Sequence, residues 1–448
     1  MKINLVSKLG LRLLIFFDHH ARFFFLGLLL ISNIYIMILH KGQNISFGRE
    51  AVGGMKMSKG ILALIIACMA LMIVSAFAQG IVVPGDSNGD KIVSAEELAA
   101  AEKLAQEGKL SADELQEIRH IHEKYPISIT DSANRTVTFY QPAERIVNLC
   151  GYAYEPMVIL GEEDKVVGAI SNAAQIAPWF NDLDMLPVVG TFSEFDYEKI
   201  IEQNPDVVIC YPRYVSDLES QLEGKNITVV ALRFTMPGKF ERELQALSDI
   251  TGSQARQEDF LKWKEEILNR LKERVDNLEP KEKKRVYIEW SDWPWHTGGE
   301  GTGKDVLVTL AGGTNLAKDL KMDLPEVDSE WVFQQNPQAI VFSSSATYMP
   351  TQLTGYTMNE TENAEAFLAE AALRSGFKGT DAVNNGLLFI IDETLAEGTR
   401  NFIGANYLAK MLYPERFKDL DPEAIHKEYF EKWLGVPYKG IWAYPAAS

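Results

Sequence analysis

One long amphipathic helix with an alternation of short apolar runs and helical stretches on either side of it constrains this 448-residue chain more than any other feature. Ahead of the helix, residues 145–149, 166–170, 188–190, 207–210 and 227–232 each read as short buried strands. Strands covered on both faces lose the in-out alternation and become continuous β-branched runs, so strands separated by helices in this way argue parallel βαβ units. Between Glu241 and Leu278 the strand signal stops. Residues 254–277 instead place Phe260, Trp263, Ile267, Leu271 and Val275 at three- and four-residue intervals, the stripe of a single helix buried along one face. Pro280 ends it, and a second series follows with strands at 285–290, 338–343 and 387–391, then helices at 402–412 and 422–433. The expected order is therefore lobe, stiff helix, lobe, an α/β chain divided as 127–250, 251–279 and 280–448.

Ahead of these lobes, residues 1–79 carry two uncharged apolar segments, 23–38 and 61–78. The second has the grammar of a secretory signal: Lys56 and Lys59, an apolar stretch, then Ala76-Phe77-Ala78 before Gln79. Cleavage after Ala78 is the expectation, and a retained anchor helix is the alternative, since eighteen apolar residues just span a bilayer. Either way the mature chain is expected outside the cytoplasm, secreted or tied to the membrane through this leader. A start at Met55 or Met57 would leave the first segment outside the protein. Cys68 after Ile65-Ile66-Ala67 resembles a lipoprotein acceptor, but the uncharged stretch that follows it is not a polar tether. Cys150 and Cys210 alone make neither a disulfide framework nor a Cys-rich metal site. With a net charge of −18 and only the short basic run Lys281, Lys283, Lys284, Arg285, nucleic acid is excluded as a partner.

The lobes echo each other. Residues 198–209 (EKIIEQNPDVVI) and 330–341 (EWVFQQNPQAIV) both read as a helix closed by Asn-Pro and followed by a buried strand. These segments, with DSANRTV at 131–137, PAERIV at 142–147, Gly190 ahead of Glu198, and LAGGTNLA at 310–317, resemble the periplasmic binding proteins of iron-siderophore, haem and vitamin B12 importers. The resemblance covers roughly 127–435 and implies two Rossmann-like parallel-sheet lobes joined by one long helix. It also implies an ABC permease with its cytoplasmic ATPase as partner and a metal chelate as cargo. In that family a glutamate at the tip of each lobe docks into permease arginines, and Glu198 and Glu330 match those positions. Charge-assisted carboxylate to arginine pairs suit such a role, while two solvated acids in helix first turns are the plainer reading.

Ligands of open parallel sheets sit beyond the carboxyl ends of the strands. The candidates there are Tyr152, Tyr154, Trp179, Tyr211 and Arg213 in the first lobe, and Trp293, Trp295, His296, Tyr348 and Arg400 in the second. Aromatic walls suit a planar chelate and arginine its negative charge, although any one of these rings could equally be core. His296, beside Trp293 and Trp295, could ligate a bound metal. Bare zinc or manganese would need several converging His, Asp or Glu, and histidines are too few.

Residues 80–125 form a small charged helical unit opening on Asp86, Asn88, Asp90, Ile92, Ser94 and Glu97, which fall at loop positions one, three, five, seven, nine and twelve. That is the oxygen ladder of an EF-hand, also resembling half a dockerin, and implies Ca²⁺, with Ile92 contributing its carbonyl. Lys91 stands where glycine is usual, and an ordinary Asp/Asn turn into a helix capped by Ser94 and Glu97 fits as well. Two rival functions remain: a redox or metal-cofactor enzyme on the same bilobed fold, and a calcium-dependent surface protein. Against the first, there is no nucleophile elbow or Cys ligand set, and the glycine-rich 298–304 lacks phosphate-loop spacing. The second would call for tandem calcium loops.

Overall fold

Reciprocal side-chain caps fix the starts of the first two helices described. The computed structural model describes residues 81–345 and 351–446, all within one compact unit, Gly80–Ser448. The leader segments, Cys68 and Tyr348 lie outside the described residues. Helices α1 (Ala95–Gln106) and α2 (Ala112–Lys124) each start on a reciprocal capping box, Ser94 with Glu97 and Ser111 with Glu114, which satisfies N–H donors a helix start leaves free. The two pack through Ala101, Ile118 and Ile121. Tyr125 then ties the unit to the first lobe by donating its hydroxyl to the Asp249 carbonyl at 2.7 Å.

The first lobe opens with an antiparallel hairpin, β1 (Ile127–Thr130) and β2 (Thr136–Phe139), turned at a left-handed Asn134. Four parallel strands follow: β3 (Ile146–Asn148), β4 (Val166–Ala169), β5 (Val207–Cys210) and β6 (Thr228–Ala231), ordered β4-β3-β5-β6. β5 is buried at every residue, as a central strand covered on both faces must be. Helices α3 (Tyr154–Leu160), α4 (Tyr197–Glu202) and α5 (Phe240–Thr251) follow β3, β4 and β6 along the chain. The run at 188–190 does not become a strand as expected and joins the sheet only by a bridge from Val188 to Ala169. The reason is local: the chain doubles back so tightly that a Cβ on Gly190 would lie 2.5 Å from the Glu194 carbonyl oxygen.

The long helix α6 (Gln254–Val275) buries the expected stripe of Phe260, Trp263, Ile267, Leu271 and Val275. It packs on α3 and α5 of the first lobe and also on α7 (Gly303–Leu310) and α10 (Asn401–Leu412) of the second. The second lobe also contains α8 (Ser329–Gln335), α9 (Glu362–Ala371) and α11 (Pro422–Glu428). Its sheet runs β11-β10-β9-β7-β8, from β7 (Arg285–Trp290), β8 (Thr314–Asn315), β9 (Ala339–Ser344), β10 (Leu388–Asp392) and β11 (Ala443–Tyr444). Only β11 is antiparallel to its neighbour. The two lobes thus hold separate sheets. One apolar cluster nevertheless runs from the first lobe along α6 into the second, while Tyr287, Ile340, Phe342 and Phe377 belong to a second cluster within the second lobe.

The echoed segments are equivalent in detail. Asp196 caps α4 and Asp328 caps α8, each accepting an N–H three residues on. Each helix gives way to its strand through a left-handed asparagine, Asn204 at φ 47° and Asn336 at φ 43°. An arginine opening the neighbouring strand locks each end: Arg145 donates to the Asn204 carbonyl at 3.0 Å and Arg285 to that of Asn336 at 2.8 Å.

Candidate ligand cleft and docking tips

The carboxyl ends of the two sheets meet at a narrow cavity of about 30 Å³. Its first-lobe wall is Gly151, Tyr152 and Glu155 after β3, with Ile176, Ala177 and Trp179 after β4; its second-lobe wall is Thr394 and residues 397–400 after β10. Three of the sequence candidates, Tyr152, Trp179 and Arg400, therefore come together. A larger hollow of about 320 Å³ lies between α6 and α11, lined by Arg270, Arg274 and Asp419, away from the strand ends.

Arg400 carries the electrostatics of the cleft. It is only 2% exposed, held there because a short turn after β10 feeds directly into α10. Its Nε lies 3.3 Å from Oε1 of Glu155, an ion pair joining the lobes. The same Glu155 oxygen accepts the Tyr429 hydroxyl at 2.5 Å, and burial beside this carboxylate raises the Tyr429 phenol well above its ordinary range. The guanidinium carbon stands 4.2 Å from the centre of the Trp179 ring, 4.9 Å from Trp442 and 5.5 Å from Phe430. Behind the wall, fully buried Lys304 pairs with Glu397 at 2.7 Å and lies over the Trp290 ring at 3.3 Å. The lysine of the glycine-rich segment is thus engaged inside the lobe, and burial raises the neighbouring Glu393 carboxyl.

The remaining candidates are placed elsewhere. Tyr154 is buried against Phe180 at 5.2 Å as lobe core. Trp295, in a left-handed conformation at φ 66°, turns inward onto Phe377, with Arg374 over its ring at 4.1 Å. Arg374 also pairs with Glu289, whose carboxyl burial still raises. Tyr211 and Arg213 form a surface cluster with Phe192 and Tyr214, the guanidinium 4.7 and 4.6 Å from those two rings. Trp293 is 48% exposed and stacks on His296 at 3.7 Å. None of these six lines the cavity. Sequence reading missed Glu155, Tyr356, Phe430 and Trp442. Glu155 was legible as a carboxylate just after β3; the three rings come from segments with no strand-end signal.

Glu198 and Glu330 occupy the same place in their lobes, the second residue of α4 and α8, and both are exposed. In the N-terminal loop Lys91 does adopt the left-handed turn, at φ 69°, and donates its N–H to Asp86 at 2.8 Å. Glu97, however, accepts the backbone N–H groups of Ser87, Asn88 and Ser94, and its bonds from the Ser94 N–H foremost, then from the Ser87 hydroxyl and N–H, lower its carboxyl to about 2. Among the described residues no group of three His, Cys, Asp or Glu side chains is arranged to hold a metal ion, and no helix is long and apolar enough to cross a membrane.

Comparison with known proteins places this geometry. The family model described as periplasmic binding protein matches residues 154–395. An ABC transporter substrate-binding lipoprotein of Bacillus subtilis is 25% identical over 72% of this chain and 96% of its own length. A vitamin B12-binding protein of Vibrio cholerae is 26% identical over 46% of this chain and 72% of its own. Among solved structures, the molybdate-binding protein MolA of Haemophilus influenzae, bound to molybdate, aligns with a TM-score of 0.57 at 22% identity, covering 70% of this chain and 99% of that one.

Proposed function

Because the chain belongs to the periplasmic binding protein family, we propose that it is the extracytoplasmic substrate-binding protein of an ABC importer, capturing a metal chelate between its lobes and delivering it to a permease coupled to a cytoplasmic ATPase. The observation that carries this reading is the meeting of two separate parallel sheets, carboxyl ends inward, across a cavity whose opposite walls are joined by Glu155 and Arg400. Such a cleft binds; its charged groups are engaged with one another, so no enzymatic role is assigned to them. The hinge falls on residues 251–279, with 127–250 and 280–448 as the moving lobes and the leader 1–79 as signal or anchor.

Glu198 and Glu330 are the docking groups in this reading, supported by their matched, exposed positions. The test is uptake of labelled chelate by cells carrying Glu198→Ala and Glu330→Ala together. Uptake is lost while affinity in solution stays within about twofold, since surface carboxylates remote from the cleft contribute little to it. A variant that still imports at the wild-type rate removes the docking role. Ca²⁺ at residues 86–97 is a separate proposal, supported by the left-handed Lys91 turn and requiring Glu97 to exchange its backbone donors for the ion.

A further inference from the structure

The second lobe encloses an aromatic group in the cleft, and that group belongs to the first lobe. Trp179 leaves the loop after β4 and is 4% exposed, enclosed by Tyr356, Phe430 and Trp442 of the second lobe at ring distances of 6.1, 5.8 and 6.0 Å. Arg400 lies over it at 4.2 Å. All three rings meet the indole at interplanar angles of 62–70°, the edge-to-face arrangement that aromatic pairs prefer. The fit of shape is good, but the fit of polarity is not. The Trp179 Nε1 and the Arg400 Nη1 are both buried donors without a hydrogen-bond acceptor among the described residues. An unpaired buried donor is a standing penalty, and an occupant that brought an acceptor would remove it.

We propose that Tyr356, Phe430, Trp442 and Arg400 form the cargo's anchoring subsite, that this subsite takes a planar conjugated ring bearing an oxygen acceptor, and that Trp179 plugs it until cargo displaces the indole. This rests on the import reading above and deepens it. The rings supply flat apolar contact of the kind the indole now uses, and the free Nη1 supplies a charge-assisted bond that the indole cannot accept. A small tetrahedral oxyanion would meet Arg400 but leave uncovered the ring surface that the indole now occupies. Displacing a resident side chain lowers apparent affinity by the fraction of molecules in which the subsite is open.

The experiment titrates the full mature chain with hemin, hydroxocobalamin and a ferric catecholate, followed by absorbance, with molybdate as a fourth probe read by calorimetry. Trp179→Ala is expected to tighten binding of at least one chelate by roughly ten- to hundredfold, because the open fraction no longer limits it. Trp179→Phe, which keeps a ring in the box, should bind near the wild-type level. Arg400→Lys, which keeps the charge but loses the planar fork, should weaken binding in both backgrounds. If circular dichroism shows Trp179→Ala unfolded, Trp179→Leu replaces it. Weakened or unchanged affinity in the alanine or leucine variant overturns the plug, since Trp179 is then a wall or a bystander. Binding of molybdate alone overturns the planar class, and binding of none of the four probes overturns both parts. The import reading stands or falls separately, on uptake in the double glutamate variant.

Discussion

Removing the charge of Glu155 tests whether the lobes are held together as the cleft geometry requires. The pair is enclosed: the Arg400 side chain is 2% exposed and that of Glu155 10%, with 3.3 Å between Nε and Oε1. Coulomb's law at an effective dielectric constant near 20 gives about 5 kcal/mol for unit charges at that separation. Breaking a buried pair by removing one partner costs roughly 3–5 kcal/mol, because the other charge is left uncompensated. Three rings partly support the guanidinium, each cation–π contact contributing about 0.5–2 kcal/mol, so the lower end of that range applies to Glu155→Gln. The glutamine retains an acceptor for the Tyr429 hydroxyl and leaves the shape of the cleft intact. We expect a loss of about 3 kcal/mol in equilibrium urea unfolding followed by circular dichroism, and a similar loss for Arg400→Met, which strands the carboxylate.

The double variant separates the pair from its parts. Glu155→Gln with Arg400→Met leaves no buried charge to desolvate, so it should lie closer to the wild type than either single change, with a coupling of about 2–3 kcal/mol. Single losses below about 0.5 kcal/mol, or strictly additive ones, would show that Glu155 and Arg400 hydrate independently, and the reasoning about a closed, low-dielectric cleft would be refuted.

Two further outcomes follow from buried and capped groups. His426 is fully enclosed by Tyr407, Phe430, Tyr438 and Trp442, and burial, then Arg400, holds its imidazole well below its ordinary 6.5. The folded chain therefore refuses a proton that the unfolded chain accepts, so stability should fall as pH drops from about 6.5 toward the depressed value, by up to about 1.4 kcal/mol per unit; His426→Phe should flatten that slope in melts at different pH. In the N-terminal unit, calcium is expected to release heat in calorimetry, with the signal lost in both Glu97→Gln and Asp86→Ala; no heat in the unsubstituted protein would leave Glu97 as a helix cap alone.

The sequence made legible whatever burial imposes on long runs. β5 was readable because a strand covered on both faces has to be apolar along its length, and α6 because Phe260, Trp263, Ile267, Leu271 and Val275 leave the stripe of one buried face. β8 and β11, of two residues each, are too short to leave a pattern. In the cleft, the rule that ligands lie beyond strand ends found Tyr152, Trp179 and Arg400 but could not say which way a ring turns, so Tyr154 and Trp295 were grouped with them although both pack inward. The expected helix at 422–433 ends in a π-helical turn, Tyr429–Trp433, in which Tyr429 and Phe430 are both fully buried. Tyr429 reaches Glu155 and Phe430 reaches Trp179, contacts that periodicity alone could not foretell.

Beyond their shared parallel-sheet architecture, the two halves repeat each other in side-chain detail at their tips. Asp196 and Asp328, Asn204 and Asn336, and Arg145 and Arg285 repeat the same local structure at the two tips, and it is this frame that presents Glu198 and Glu330 alike. Docking of both tips to a permease, as proposed, would use the same group on each lobe, and matched tips suit that role. The cleft is different. There the lobes diverge, the first contributing a carboxylate and an indole, the second a guanidinium and a set of rings drawn from Tyr356, Phe430 and Trp442. Symmetry at the tips and asymmetry between them is the distribution expected if the tips meet the transporter and the cleft meets the cargo, so a substitution at either should disturb one step and spare the other.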